Sequence, residues 1–447
     1  MSVSRKINWK RVLLASAALG FSWTANASGE TLQEAMSIAL ATNPALKSRQ
    51  AQLDATSELK AQAWSRILPQ LTAQAGYTYL DTRQESPAGA AFNRSDQLDQ
   101  KSYGATLEQL VFDGAGSIFA IRAAAAEVEA AEAEYAAIEQ QLLADVAEAY
   151  FDVKRAMDAF SLSTESVDVF KQLREQAGLR FNAGEVTRTD LAQADARLAG
   201  AEVDARNARV RLVESRERYF ELVGQYPSNF SEKAIEAAIP KDVEAARLLA
   251  METAPAILSA KAAERASKRA IGVANAEFFP RVTALAAYQF QDEPSTFIRE
   301  SENLSAGVSV RFPIYQGGVR ASRVRQAKAE NRSARYRIYE VERETASLVV
   351  STWERLDAAK DNVVSVRKQV ASNQEAFDGV LRESRVGSRS TLDVLNAKAE
   401  LLDTQISLAN AVRDARVANY AVLNAIGILT PYAMSLEQAA QEISASH

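Results

Sequence analysis

The chain has 447 residues, and 52 basic against 57 acidic residues give a formal net charge of −5 at neutral pH. This balance gives no reason to expect a nucleic acid as a partner. There is no cysteine, and the one histidine is His447, so metal sites and cysteine or histidine catalysis are nearly excluded and no cofactor is expected. An enzyme is a poor interpretation, because the acidic residues scatter along helix faces and no nucleophile–base pair stands out.

The first predicted element is a secretory signal peptide over residues 1–27. Basic residues precede the apolar stretch VLLASAALGFSW, and the tripeptide Ala25-Asn26-Ala27 is a typical cleavage site. A membrane anchor is the alternative, but this stretch is too short to span a bilayer comfortably. We therefore expect an exported mature chain, 28–447, and the lack of a following cysteine disfavours a lipid anchor.

The mature sequence is an internal repeat, with copies at about 31–224 and 244–427. NPALKSRQAQLD in the first copy aligns with APAILSAKAAER in the second, and two long glycine-containing segments align later. The separation between matched residues falls from 211 to 203 between these blocks. The difference of eight residues lies in the segments 82–101 and 293–304, and this length change predicts exposed loops.

Each copy is predicted to contain two strands next to its loop. In Leu304–Ile314 apolar and polar residues alternate, a period of two that is typical of a strand with one apolar face. The predicted strands are 69–83, 101–113, 280–292 and 304–314. A soluble β-sandwich could also use such strands, but it would leave the rest of the chain unexplained.

The remainder is predicted to form long helices. Apolar residues in 349–381 and in 392–423 follow steps of three, four and seven, which is coiled-coil spacing. At 1.5 Å per residue, a helix over 319–386 would run roughly 100 Å, and the shorter helices 390–427 and 255–279 would together nearly match it. We expect two short helices stacked end to end beside each long one, with an equatorial region near 225–250 and 428–447.

Four strands cannot close a barrel, and open polar edges are not tolerated in lipid. Strands of about ten residues with one apolar face fit an outer-membrane barrel made by two or three chains. Glu108 and Arg311 occupy matching positions on the polar faces of their strands. Charged residues there suit a water-filled lumen better than a dry core.

The ordered set of motifs resembles the TolC-like outer-membrane export channels. It comprises the N/A-P-A opening, LP and FP before the first strands, LVFDGAG and FPIYQGG after the second, and VGSRSTLDVLNA. The resemblance implies a mainly α fold with a membrane β-barrel. In it, long antiparallel coiled-coil helices form an α-barrel across the periplasm, and four strands per chain contribute to a trimeric 12-stranded transmembrane barrel.

The resemblance also implies partners and a cellular location. Such a channel is a homotrimer in outer-membrane lipid of a Gram-negative bacterium. It receives proteins or small molecules from an inner-membrane ABC or proton-driven transporter through a periplasmic adaptor. The runner-up is a soluble periplasmic adaptor with a helical hairpin, which would not explain two pairs of amphipathic strands.

The segments FNAGEVTRTDLAQA and SRVGSRSTLDVLNA are predicted turns between a long helix and a returning one. Gly184 and Gly387 fit the left-handed residue that ends a helix. Asp190 and Asp393 each follow a Thr or Ser by three residues, the spacing of a capping box. Taken alone, this pattern favours two capping carboxylates.

The resemblance adds a periplasmic gate at these turns. It places Asp393 near the channel axis, and Asn396 where a second acid is expected, so that the ring of carboxylates would be weaker. Arg389 matches the gate arginine, and Asp190 with Thr189 matches its partner region on an adjacent hairpin. Ser384 stands where a gate tyrosine is expected, so that link would be absent. Capping and gating are compatible roles for Asp393.

Overall fold

The computed structural model of the protein describes residues 30–84, 87, 94–227, 230, 239–295 and 297–434. The predicted signal peptide lies outside the described residues, as do parts of the predicted equatorial region. The helices and strands are, in chain order, α1 (Leu32–Thr42), α2 (Pro44–Ser65), β1 (Gln70–Gln84), β2 (Arg94–Phe112), α3 (Gly116–Asn182), α4 (Arg188–Val223), α5 (Val243–Thr253), α6 (Pro255–Ala276), β3 (Arg281–Ser295), β4 (Ile298–Arg311), α7 (Val319–Arg385) and α8 (Thr391–Ile426). The order helix, helix, strand, strand, helix, helix therefore occurs twice.

The four strands form one antiparallel sheet in the order β1-β2-β3-β4. Leu71 is opposite Leu107, Leu107 is opposite Ala286, and Ala286 is opposite Ala306, so one face is apolar across all four strands. Leu71 is 73% exposed in the isolated chain, and other large apolar side chains of this face are similarly open. A face of this kind requires a lipid or protein cover.

The other face of the sheet is polar. Glu108 is opposite Gln70, and Arg311 is opposite Arg281. Each of these residues is next in sequence to a residue of the apolar face, so its side chain lies on the opposite side of the sheet. The register thus places Glu108 and Arg311 on the same polar face. Their predicted exposure to a channel lumen stays a prediction.

The strands extend further from the helices than the alternating pattern predicts. β2 begins at Arg94 rather than 101, and β4 begins at Ile298 rather than 304. Backbone pairing continues there although most of the added residues are polar. Leu80 is opposite Leu98, but the neighbouring Tyr77 hydroxyl donates to Asp99 at 2.6 Å. β4 also ends at Arg311 rather than 314, because Pro313 has no N–H to donate to a neighbouring strand.

The helices confirm the expected length matching. α3 and α7 have 67 residues each, α4 and α8 have 36 each, and α2 and α6 have 22 each. The end of α8 meets the start of α6, where the Thr253 hydroxyl donates to the Ile426 carbonyl at 2.7 Å. The end of α4 meets the start of α2, where the Thr42 hydroxyl donates to the Val223 carbonyl at 3.0 Å. Two short helices therefore stack end to end beside each long helix.

The largest apolar cluster joins α1, α3, α4 and α8 near these junctions, about halfway along α3. The buried carboxylate of Glu30 accepts hydrogen bonds from Tyr219 at 2.7 Å and Gln225 at 3.2 Å, and the Tyr150 hydroxyl donates to the Glu30 carbonyl. These bonds fasten the start of the described chain to the middle of the rod. Across the described residues, no helix combines the length and apolar character that crossing a membrane requires.

Candidate functional site: the two hairpin tips

The candidate site consists of two hairpin tips at the end farthest from the sheet. The first tip (residues 180–197) joins α3 to α4, and the second tip (residues 383–400) joins α7 to α8. Gly184 and Gly387 both have φ of +80°, a conformation that costs little only in glycine. In each turn a backbone N–H reaches back five residues: Glu185 donates to Arg180 at 2.9 Å, and Ser388 donates to Glu383 at 3.0 Å. The two turns thus have the same backbone hydrogen bonding.

Both tips begin their returning helix with a complete capping box. The Thr187 N–H donates to Asp190 at 2.8 Å and the Asp190 N–H donates to the Thr187 hydroxyl at 3.3 Å. The corresponding distances for Ser390 and Asp393 are 3.0 and 3.1 Å. The structure therefore shows the expected capping by both acids.

The capping hydrogen bonds lower the pKa of both carboxyl groups. For Asp190 the backbone N–H of Thr187 is the largest cause, followed by the Thr187 hydroxyl. For Asp393 the Ser390 hydroxyl is the largest cause of the lowered pKa, and the nearby charge of Arg389 adds to it. Both carboxylates are therefore charged at neutral pH.

The side-chain ion pairs of the two tips have opposite polarity. In the first tip Arg180, at the end of α3, pairs with Glu185 of the turn at 3.1 Å. In the second tip Glu383, at the end of α7, pairs with Arg389 of the turn at 2.9 Å. Arg389 thus contacts Glu383, an acid of its own hairpin, which the family resemblance does not indicate. Its pairing with Asp190 of an adjacent hairpin stays a prediction.

One polar contact joins the two tips within the chain. Arg197 of α4 donates to the side-chain oxygen of Asn396 of α8 at 2.8 Å. Arg197 could not be predicted from the sequence, because the two partners are 199 residues apart and only the packing of the hairpins brings them together. Of the other predicted residues, Thr189 is exposed at the start of α4 and Ser384 is buried.

Apolar residues hold the tips together behind these polar groups. Phe170, Leu173 and Ala177 of α3 pack with Val394 and Leu395 of α8 in one cluster. Between the tips lies a groove of about 350 Å³, lined by residues of α3, α7 and α8 and by Glu185. Leu179 lines this groove and is 71% exposed, and Val386, which follows the lining residue Arg385, is 81% exposed. The end of the rod therefore presents apolar groups with charged neighbours.

Comparisons with known proteins agree with this architecture. The family model described as outer membrane efflux protein matches residues 35–225 and 248–428. The outer membrane efflux protein BepC of Brucella suis is 31% identical over 411 residues, covering 92% of this chain and 88% of the relative. The outer membrane protein TolC of Escherichia coli is 26% identical over 440 residues, covering 94% and 86%.

The fold likewise resembles solved structures. The Campylobacter jejuni CmeC outer membrane channel superimposes with a TM-score of 0.78 at 17% identity, over 99% of this chain and 98% of the other. A soluble adaptor with one hairpin is not favoured, because the chain has two hairpins and a four-stranded sheet. The chain belongs to the outer membrane efflux protein family: it is an outer-membrane export channel with a helical tunnel in the periplasm.

Proposed function

We propose that three copies of the chain close a 12-stranded barrel in the outer membrane and continue as a periplasmic tunnel. The observation that supports this proposal is the open four-stranded sheet. Its edge strands β1 and β4 each have one unpaired side, and one face is apolar and exposed. Neither edge is tolerated in lipid unless another copy pairs with it. Mass measurement in detergent should give a trimer, and a monomer or dimer would contradict the proposal.

The tips are the proposed periplasmic gate and docking end. The groove between them, with Leu179 and Val386 at its side, offers an apolar surface for a periplasmic adaptor linked to an inner-membrane ABC or proton-driven transporter. The cargo is small molecules or secreted proteins. The name of the Brucella relative, an efflux protein, favours small molecules. A deletion strain that loses drug resistance while keeping its secreted proteins would support efflux; the reverse result would support secretion.

Asp393 is proposed to lie near the axis, where three carboxylates repel one another in a narrow constriction. A multivalent cation added on the periplasmic side should relieve this repulsion and block the current. Asp393→Ala should weaken the block at least about tenfold, which corresponds to about 1.4 kcal/mol of binding free energy. Asp190→Ala is the matched control, because it removes the same kind of cap from the first tip. Equal block in wild type and Asp393→Ala would leave Asp393 with capping alone.

Arg389 is proposed to help hold the gate closed by pairing with Asp190 of an adjacent hairpin. The pair with Glu383 within the chain competes for the same guanidinium group, and Asn396 is held by Arg197. Arg389→Ser should raise the closed-state conductance in a planar bilayer. Arg180→Ser is the control, because it breaks the equivalent local ion pair of the first tip. Unchanged conductance in Arg389→Ser would remove Arg389 from the gate.

A further inference from the structure

A second polar site lies at the other end of the rod, where the strands meet the helices. A pocket of about 560 Å³ there is bordered by the end of α2, the starts of α3 and α7, and the strand ends nearest the helices. Five arginines and two acids line it: Arg66, Arg281, Arg311, Arg320, Arg323, Asp113 and Glu277. The pocket is therefore strongly basic.

Both acids already have partners. One oxygen of Asp113 accepts from the Ser117 N–H at 2.7 Å and from the Ser117 hydroxyl at 2.5 Å. Both oxygens of Glu277 accept from Arg323, each at 2.9 Å. Only Glu277 is paired with an arginine, and five arginines against two acids leave the pocket with an excess of three positive charges.

Arg320 is also satisfied within the chain. Its guanidinium group donates to the carbonyl oxygens of Pro313 and Glu277 and lies 5.7 Å from the ring centre of Phe278. Its side chain is buried, and these contacts give it a structural role in fastening the start of α7 to the end of α6. Three arginines then remain.

Arg66, Arg281 and Arg311 have no ion pair or side-chain hydrogen bond within the described part of the chain. Arg281 and Arg311 are directly opposite on β3 and β4, and like charges in that position destabilise a sheet. Glu108 lies on the same polar face, but it is opposite Gln70 and Leu285 and does not line the pocket. The three guanidinium groups therefore line one pocket without a direct ion pair, and the two acids of that pocket do not balance its five arginines.

We propose that Arg66, Arg281 and Arg311 bind an oxyanion of the phosphate class at the base of the barrel. Guanidinium groups donate paired hydrogen bonds that match phosphate oxygens, and a bound anion would remove the repulsion between Arg281 and Arg311. Arg281 and Arg311 lie on the polar face of the sheet, which faces the water-filled lumen in the proposed trimer. On that proposal the anion is a soluble one and not a lipid headgroup. In the proposed trimer three such sites would ring the lumen, whereas binding itself requires only one chain.

The test uses the full chain in detergent and inorganic tripolyphosphate as the probe, measured by calorimetric titration. Wild type should bind tripolyphosphate, and Arg281→Gln/Arg311→Gln should weaken binding at least about tenfold. Arg299→Gln is the matched control: two-residue alternation puts Arg299 on the same face of β4, at the far end from the pocket. It should change affinity less than about twofold. Equal affinity in wild type and the double variant would overturn the proposal.

Thermal unfolding gives a second, independent measurement. Without anion, Arg281→Gln should unfold at a higher temperature than wild type, because the like-charge pair is gone. With tripolyphosphate, wild type should gain stability and Arg281→Gln should gain much less. Arg66→Gln, which lies outside the sheet, should also lose affinity; equal stabilisation of wild type and Arg66→Gln would count against the site.

The source of the anion is tested in nanodiscs. Exchanging phosphatidylcholine for phosphatidylglycerol should leave tripolyphosphate affinity unchanged. Phosphatidylglycerol that stays bound to wild type but not to Arg281→Gln/Arg311→Gln, seen as added mass, would overturn the aqueous source and assign the site to a headgroup. The mass of the same samples shows whether the protein is a trimer. A trimer that does not bind tripolyphosphate would contradict the anion site alone, and a monomer or dimer would contradict the proposed assembly.

Discussion

The two repeats make the same junction between stacked helices with different residues. In the first repeat, the end of α4 is held by Thr42 and by Asn43, whose side-chain nitrogen donates to the Leu222 carbonyl at 2.9 Å. In the second, Thr253 makes the equivalent bond, but Ala254 replaces the asparagine and has no side-chain cap. The helix ends instead approach more closely, with Gly427 against the backbone of Thr253 and Ala254, where α5 passes into α6. One junction thus relies on a polar side chain and the other on close backbone packing.

The tips show the same division. The glycine turns and capping boxes are alike in both hairpins, whereas the ion pair Arg180–Glu185 has its polarity reversed in Glu383–Arg389. Backbone features are retained in both copies because each helix end needs its N–H and C=O groups satisfied. The side-chain ion pairs are not needed for this and differ between the two hairpins.

The largest effect is expected at the second junction. A Cβ on Gly427 would lie 2.7 Å from both the Ala254 Cα and the Thr253 carbonyl oxygen, and the φ of Gly427 is +88°. Gly427→Ala should cost about 1–2 kcal/mol for the left-handed backbone. Overpacking should add about 1–3 kcal/mol. Urea unfolding in detergent, followed by circular dichroism, should show a total loss of roughly 3 kcal/mol.

Gly224→Ala is the matched control at the first junction. Its φ is +86°, but a Cβ there would meet only the Thr42 hydroxyl oxygen, at 3.4 Å, and the Thr42 Cβ, at 3.9 Å. This variant should therefore lose only the backbone contribution, about 1–2 kcal/mol. If both variants lose the same stability, the second junction does not depend on close backbone packing.

The next effect concerns Asn43 at the first junction. Its side-chain oxygen accepts from the N–H groups of Ala45 and Leu46, at 3.0 and 3.1 Å, while its nitrogen bonds Leu222 across the junction. Asn43→Ala should cost about 1 kcal/mol for the cap. Leaving the buried Leu222 carbonyl without this partner should cost about 1 kcal/mol more.

Asp242→Ala separates these two contributions by the same unfolding measurement. Asp242 caps α5 through one bond to the Ala245 N–H at 2.7 Å, and the cap is exposed. It should lose the capping contribution alone, about 1 kcal/mol or less. A loss as large as that of Asn43→Ala would show that Asn43 acts only as a cap.

Much of this architecture follows from local patterns in the sequence. The turns at Gly184 and Gly387 and the capping by Asp190 and Asp393 depend on neighbours within a few residues, and the structure confirms them. Helix lengths follow from where such signals begin and end. The strand pairs follow from alternation, but only where one face is apolar; beyond that, β2 and β4 continue through backbone pairing that leaves no apolar pattern.

The contacts between distant segments could not be predicted in this way. Arg197 and Asn396 meet because two hairpins pack side by side, and nothing near either residue indicates its partner. The opposition of Arg281 and Arg311 likewise depends on strand register, which a shift of one residue would abolish. For Arg389 the resemblance predicts a partner on an adjacent hairpin, while Glu383, six residues away, contacts it within the chain. Local geometry is thus predictable and pairing across the fold is not.

A smaller effect is expected at the contact between the two tips. The bond from Arg197 to Asn396 is exposed, so its coupling free energy should be below about 1 kcal/mol. A double-mutant cycle with Arg197→Ala and Asn396→Ala, measured by urea unfolding, should give this coupling. The same cycle on the pair Arg174–Asp195, at 2.7 Å within the first hairpin, gives a coupling free energy for comparison. Additive losses from Arg197→Ala and Asn396→Ala would mean that the bond does not join the hairpins.

The smallest effect is a pH dependence confined to the tips. Both Asp190 and Asp393 have a lowered pKa in the folded chain, so each contributes stability that is present above its unfolded pKa of about 3.9. That contribution is lost as pH falls through the lower folded pKa. Hydrogen exchange, corrected for its intrinsic pH dependence, should show both turns losing protection below about pH 4. Asp190→Asn should remove the pH dependence of hydrogen-exchange protection in the first tip only. Asp393→Asn should remove it in the second tip only.

Arg389 distinguishes the two profiles. Its charge helps lower the pKa of Asp393, whereas the lowered pKa of Asp190 comes from hydrogen bonds with Thr187 alone. Arg389→Ser should therefore raise the pKa of Asp393, so that the second tip begins to lose protection at a higher pH than in wild type. Where no neighbouring hairpin is present, the first tip should lose protection at the same pH in Arg389→Ser as in wild type. A shift of the first tip as well would show that Arg389 also acts on Asp190, as the proposed pairing between adjacent hairpins requires. Comparing monomeric and trimeric samples then separates the two sources, because only the trimer brings a neighbouring hairpin within reach.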